Sequence, residues 1–382
     1  MQRLNGITKN YAWGSTTLLS ELRGEDPSDE PEAEIWYGAH AAAPSTLDNG
    51  PTLLSQLTTS PEGLLGQQCV ERFGPGLPFL LKLLAANRPL SIQVHPSIPQ
   101  AQAGFAAEET AGVPADAPHR SFGDPNHKPE LIAAITPFEA LVGFRALDST
   151  IALLTDLGVT NHFVDTLATK GFLAAVGYLL APTSAEEQSN ADAAIRSIVD
   201  GANVYNEPEW SNEADLLTRL SIIYPGDPGI GVAALLNRVL LQPGEAIFLD
   251  AGTMHAYVGG LGVEIMANCD NVIRGGLTSK HIDVDSLLEI VRPEAFAPVP
   301  ISIENGRYHS PAPEFALTRV TPGTRFDVVG PSVVISTNGT TAVTEGSEQL
   351  DLRPAEAAWV PAGEHVQVTS TALGFIATVG TI

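Results

Sequence analysis

Three stretches of this chain hold residues whose type and spacing can do chemistry. In Ser91-Ile92-Gln93-Val94-His95-Pro96 the Gln93 and His95 side chains are two residues apart. On an extended strand they leave the same face, the arrangement two ligands of one metal ion require. In Asn126-His127-Lys128-Pro129-Glu130 a histidine, a lysine and a carboxylate crowd the mouth of an apolar run, and charge gathered at a strand end marks candidate sites. Residues 250–284 place His255 before an aromatic and a glycine pair, with Glu264, Asp270, Arg274 and Lys280 beyond it. Taken singly, each has an ordinary reading: Gln93 and His95 as hydrogen-bonding residues, Glu130 as a solvated carboxylate, Lys128 as a surface cation.

The charge balance gives the cations weight. Against 44 acidic residues the chain has 20 basic ones, a net charge of −24, and only Lys9, Lys82, Lys128, Lys170 and Lys280 are lysines. That field would repel a nucleic-acid backbone and an anionic membrane face, so neither is an expected partner. Cys69 and Cys269 lack any C-x-x-C spacing and are expected to be buried thiols. The N-terminal MQRLNGITKNYAWGS has no apolar run behind a basic start, and no stretch of about 18 uninterrupted apolar residues follows. A soluble, cytoplasmic chain is expected, with a monomer as its expected state.

The surrounding pattern supplies the elements that must hold these residues. Up to residue 144, short β-prone runs such as PFLLKLL and ELIAAITPFEALVGF are broken by Pro and Gly. Residues 145–227 change to helical spacing, with Ser184 or Asn190 and then Asn212 as expected helix caps. Because the β pattern resumes directly afterwards, this block is read as an insertion. From residue 228 the alternation of apolar and small or polar residues, with glycine pairs at the turns, predicts a rolled antiparallel barrel. Regularly spaced short strands near the C-terminus predict a second, smaller one. The expected organisation is residues 1–144 with 228–305, an insert at 145–227, and a C-terminal β unit at 306–382. The phrases LLQPGEAIFLDAGTMHAY and DLRPAEAAWVPAGEHVQV share a layout, which suggests an internal duplication with a degenerate second copy.

YAWGS, PLSIQVHP, NHKPE, TPFEALVGF, HAYVGG and NVIRGGLTSKHID stand in this order between Trp13 and about Pro293. In these motifs the chain resembles type I mannose-6-phosphate isomerases, a family similar to cupins. The resemblance implies a mainly β fold of cupin-type antiparallel jelly-roll barrels, catalytic and C-terminal, with an inserted α-helical domain. It also implies one Zn²⁺ held by Gln93, His95, Glu130 and His255, and a sugar phosphate as small-molecule partner. Imidazole and carboxylate suit Zn²⁺, and one anionic ligand leaves the centre positive enough to act as a Lewis acid. The chain departs from the family pattern at Gly275, Ser279, Thr253 and Met254, and loses no ligand or cation by it.

The reaction this implies moves a proton between C2 and C1 of an open-chain aldose phosphate through a cis-enediol, which requires a base, an electrophile and a phosphate anchor. Lys280 and Ser91 take the phosphate by resemblance. Arg274, a planar and permanently charged fork, is assigned to the enediolate oxygens. For the proton, Lys128 and Glu264 rank ahead of Asp270, with His127 also in a motif position. Trp13 and Tyr257 are expected to wall the pocket, and His40, His119 and His281 to be structural. Two other readings compete: an Fe(II) cupin oxygenase, since two His and a Glu also describe a facial triad, and a non-catalytic sugar-binding cupin. Paired cations beside the metal favour the isomerase.

Overall fold

The computed structural model describes residues 1–48, 50–159 and 162–380. Its centre is the strand His255–Ala267, thirteen residues long, which pairs antiparallel with Phe79–Ala86, Glu130–Ala134 and Phe138–Phe144. Outward from Phe79–Ala86 the sheet continues to Glu34–Tyr37 and Ile7–Lys9. The mainly β, cupin-type architecture expected from the sequence is the one observed.

The two faces of this sheet have different work. Ile35, Leu81, Leu83, Leu131, Val263 and Ile265 bury one face against Leu317, Val333, Trp359 and Phe375 of the C-terminal sheet. The opposite face carries Leu84, Ile132, Phe138 and Tyr257 inside the barrel, and shares that interior with charged residues. Period-2 alternation divides them: Glu34 and Trp36, Lys82, Glu264, and Glu130 all lie on the interior face.

Among the described residues, five helices, from Leu147–Asp156 to Gly229–Leu235, lie between strands Phe138–Phe144 and Leu236–Leu241. Those strands pair with each other, Phe144 opposite Leu236, so the chain leaves and re-enters the barrel at one point. Ser184 caps Ala185–Val204 by accepting from Glu187 N–H. Asn212 is not a cap; it falls in the first turn of Ser211–Ile223. Helix His162–Leu180 is long and apolar enough to cross a membrane by composition, but it is broken at Gly171 (φ 80) and buries Phe163, Leu167, Phe172, Val176 and Leu179 in the helical core.

Hydrogen bonding departs from the expected boundaries in two places. Gln2–Asn5 pairs with Ala357–Val360 and with Thr46–Leu47, so both segments extend the C-terminal sheet. The helical block runs on to Leu235, past residue 227, because Gly229–Leu235 is buried along its whole length. Neither feature has a local signature, since each is fixed by contacts with distant residues.

Candidate active site

Strand register brings the metal-ligand candidates together. Gln93 is paired with His255 on one side and with Arg274 on the other, and directly paired residues project to the same face. Glu130 opens its strand beside them. His95 Nε2 lies 3.3 Å from Glu130 Oε1, and His255 Nε2 lies 3.3 Å from Glu130 Oε2. All three residues are buried.

Each imidazole is fixed from behind. His95 Nδ1 is 2.7 Å from the Asn271 carbonyl and His255 Nδ1 is 2.9 Å from the Thr253 carbonyl. A carbonyl can only accept, so both rings carry a proton on Nδ1, and in the neutral imidazole the Nε2 lone pair then points inward. Burial pushes the His95 imidazole down to about 4, which keeps it neutral at physiological pH. Burial alone would raise the Glu130 carboxyl, but Lys128 at 3.0 Å and the flanking histidines hold it well below its ordinary range. His95 Nε2, His255 Nε2 and Glu130 Oε2 thus face one another, buried and with no hydrogen-bond partner. Such an arrangement is repulsive unless a cation fills the centre, and the ligand atoms lie within 4.8 Å of one another, a spacing a metal ion can bridge. The donor set fits zinc: two imidazoles, one carboxylate, and Gln93 at the cavity wall.

Above these ligands opens a cavity of about 480 Å³, within the range for small-ligand sites. Trp13, Ser91, Lys128, Tyr257, Glu264, Arg274 and Lys280 all line it. Trp13 stacks on Tyr11 at 5.8 Å between ring centres, and Tyr257 is wholly buried. Neither Arg274 nor Lys280 has a carboxylate within ion-pair distance among the described residues. Burial and Arg274 together push the Lys280 ammonium below its usual range. Two unneutralised, mutually repelling cations in a chain of net charge −24 make a receptor for an anion.

Two candidate residues sit elsewhere. His127 does not reach this cavity: it bonds Glu314 at 2.8 Å and lines a separate crevice with Arg72 and Phe73. His127 and Lys128 are consecutive on an extended segment, so their side chains leave opposite faces. Asp270 does not line the cavity either; its carboxylate is 65% exposed and pairs with His40 at 3.2 Å.

Sequence reading missed Lys82 and Glu34. Lys82 Nζ sits 2.9 Å from Glu264 and 3.4 Å from Glu34, over the Trp36 ring, and all of them are buried. Burial disfavours the ammonium, but Glu264 and Glu34 outweigh it and hold Lys82 charged. Burial raises the Glu264 carboxyl. Within PFLLKLL a lysine has no visible partner; only the pairing of Lys82 with Glu264 across the sheet supplies one. The departures Gly275 and Met254 also meet here, since a methyl added at Gly275 would come 2.8 Å from Met254 Cε. The glycine makes room for the larger neighbour.

Residues 1–147 match the family model described as phosphomannose isomerase type I, catalytic domain. The chain is 38% identical to the mannose-6-phosphate isomerase of Escherichia coli (strain K12), over 95% of each chain. It is 36% identical to that of Salmonella typhimurium, over 99% of each. Its fold is similar, at TM-score 0.88 and 33% identity over 100% of this chain and 99% of the other, to a crystal structure of mannose 6-phosphate isomerase from Salmonella typhimurium bound to substrate and zinc.

Proposed function

Because the chain belongs to the type I mannose-6-phosphate isomerase family, we infer that it interconverts D-mannose 6-phosphate and D-fructose 6-phosphate with one zinc held by Gln93, His95, Glu130 and His255. The observation that carries this reading is the meeting of two features in one cavity: buried polar atoms that face one another, and cations with no carboxylate partner. When bound, zinc supplies a Lewis acid that polarises the sugar oxygens.

The protein's own residues do the rest. Lys280, with the Ser91 hydroxyl, anchors the phosphate, and the Arg274 guanidinium stabilises the oxygens of the cis-enediolate. Lys128 carries the proton between C2 and C1; its side chain lines the cavity and its Nζ is 3.0 Å from Glu130, which supports that role. Glu264 faces the same space but is engaged by Lys82, and so holds that ammonium in the wall. Trp13 and Tyr257 exclude water from the sugar.

The direct test is Arg274→Ala. That variant should retain zinc and fold while losing at least about 100-fold in turnover, as for removal of an oxyanion donor worth about 3 kcal/mol. An unchanged rate would remove Arg274 from the mechanism. An oxygenase is disfavoured by the paired cations, and oxygen uptake without isomerisation would restore that reading.

A further inference from the structure

Lys280, the cation given to the phosphate, sits on a loop with an unusual backbone. Gly276 (φ 125) and Leu277 (φ 55) adopt conformations that L-residues avoid, and Leu277 is nevertheless a buried leucine. Something must hold the loop in that shape. On one side it is tied to the metal-ligand strand: Gly275 N–H donates to the Ile92 carbonyl at 2.8 Å, and Ile92 N–H to the Gly276 carbonyl at 3.0 Å.

On the other side it is held by the exit of the helical segment. Asp227 Oδ1 accepts from Gly229 N–H at 2.7 Å and Leu277 N–H at 2.9 Å, and Oδ2 accepts from Thr278 N–H at 3.0 Å. The two backbones are in close contact, because a Cβ added at Gly276 would fall 2.3 Å from Gly229 Cα. Thr278 in turn accepts from Lys280 N–H at 3.1 Å, and Thr278, Ser279 and Lys280 line the cavity. Three residues before Asp227, Tyr224 lines the same cavity and donates its hydroxyl to the Pro89 carbonyl at 2.7 Å. The helical segment thus returns to the barrel against the edge of the pocket where Lys280 lies.

We propose that Asp227 is a positioning residue which, through its hydrogen bonds to the Leu277 and Thr278 N–H groups, fixes loop 275–280 and so sets the affinity of Lys280 for the phosphate group. The proposal rests on the phosphate role given to Lys280 above. A carboxylate this close to an anion site would oppose binding if it were free. Saturated by backbone N–H groups, it instead stabilises the strained loop.

The test compares zinc-loaded Asp227→Asn and Lys280→Ala with the unaltered enzyme, using inorganic phosphate as a competitive inhibitor. The amide of Asp227→Asn sets a donor against one of three N–H groups, and KM and the phosphate Ki should rise together by about tenfold, with kcat and zinc content nearly unchanged. A purely structural role would lower thermal stability and leave KM and Ki where they were, and that result overturns the proposal. If Lys280→Ala raises Ki and Asp227→Asn does not, the proposal alone fails. If neither moves Ki, the phosphate assignment fails and takes the proposal with it. Should Asp227→Asn not fold, Gly229→Ala applies the same question from the other strand of contact, its Cβ lying 2.4 Å from Leu277 N, and the same rise in Ki is expected.

Discussion

Residues 240–257 and 351–368 build the same turn twice and end it differently. In the first, Glu245 N–H donates to the Gln242 carbonyl while the Glu245 carboxylate accepts from Gln242 N–H, both at 2.8 Å. In the second, Glu356 and Arg353 repeat both bonds at 2.9 Å. Gly244 (φ 88) and Ala355 (φ 65) occupy matching left-handed positions, as do Gly252 (φ 79) and Gly363 (φ 81). The carbonyls of Gly244 and Ala355 each accept a buried tyrosine's hydroxyl from the other sheet, Tyr308 to Gly244 at 2.8 Å and Tyr37 to Ala355 at 2.6 Å. The first turn then delivers His255 to the metal position, whereas the second ends at His365, which is exposed. Behind the second turn the small barrel is filled by Val320, Val343, Val360, Val368 and Ile376, and among the described residues of this unit no charged side chain is buried. One backbone plan serves a polar site in one copy and a dry core in the other, so chemistry here belongs to the side chains grafted on the turn.

The sharpest way to break that comparison is to remove the two histidines separately. His255→Ala deletes a ligand whose supporting contacts alone would be worth about 10–100-fold in such sites, so turnover should fall by more than about a hundredfold together with zinc content. His365→Ala, an exposed change, should leave both within about twofold. Equal effects would mean the second turn had kept a share in the chemistry.

Much of this asymmetry is readable in the sequence. Gln93 and His95 alternate with apolar Ile92 and Val94, His255 opens a strand, and Arg274 and Lys280 stand out because cations are scarce. What the sequence hides is non-local. Lys82 becomes a site residue only through Glu264 on the neighbouring strand, and Gln2–Asn5 joins the C-terminal sheet only through Ala357–Val360. His127 is invisible in another sense, since residue type marks it as catalytic while backbone direction turns it toward Glu314. Asp227 carries no signal at all, because an aspartate between Gly226 and Pro228 reads as ordinary turn chemistry.

The tyrosine pair tests whether the two turns are still equivalent as structure. Tyr37→Phe and Tyr308→Phe each remove one buried hydrogen bond, for an expected loss of about 1–2 kcal/mol in denaturant unfolding with KM unchanged. Tyr308→Phe should be the milder, because the Gly244 carbonyl keeps a second donor in Arg319 Nη1 at 3.4 Å. A reversed order would show that the Arg319 contact contributes nothing.

The smallest effects come from exchanging the residues at the left-handed positions. Ala355 holds a conformation that disfavours an L-residue by about 1–2 kcal/mol, so Ala355→Gly relieves strain but frees the unfolded chain, which costs about 0.4–1 kcal/mol. The two terms partly offset, and unfolding free energy should rise by about 0–1.6 kcal/mol. Gly244→Ala takes on the same strain and adds a steric conflict, since its Cβ would lie 2.4 Å from Arg319 Nη1. Arg319 can swing aside only by giving up its bond to the Gly244 carbonyl. The expected result is a net loss of about 1 kcal/mol, opposite in sign to the first exchange. If Gly244→Ala instead stabilises the protein, the first turn does not need its glycine, and the alanine of the second copy is no sign of relaxed constraint.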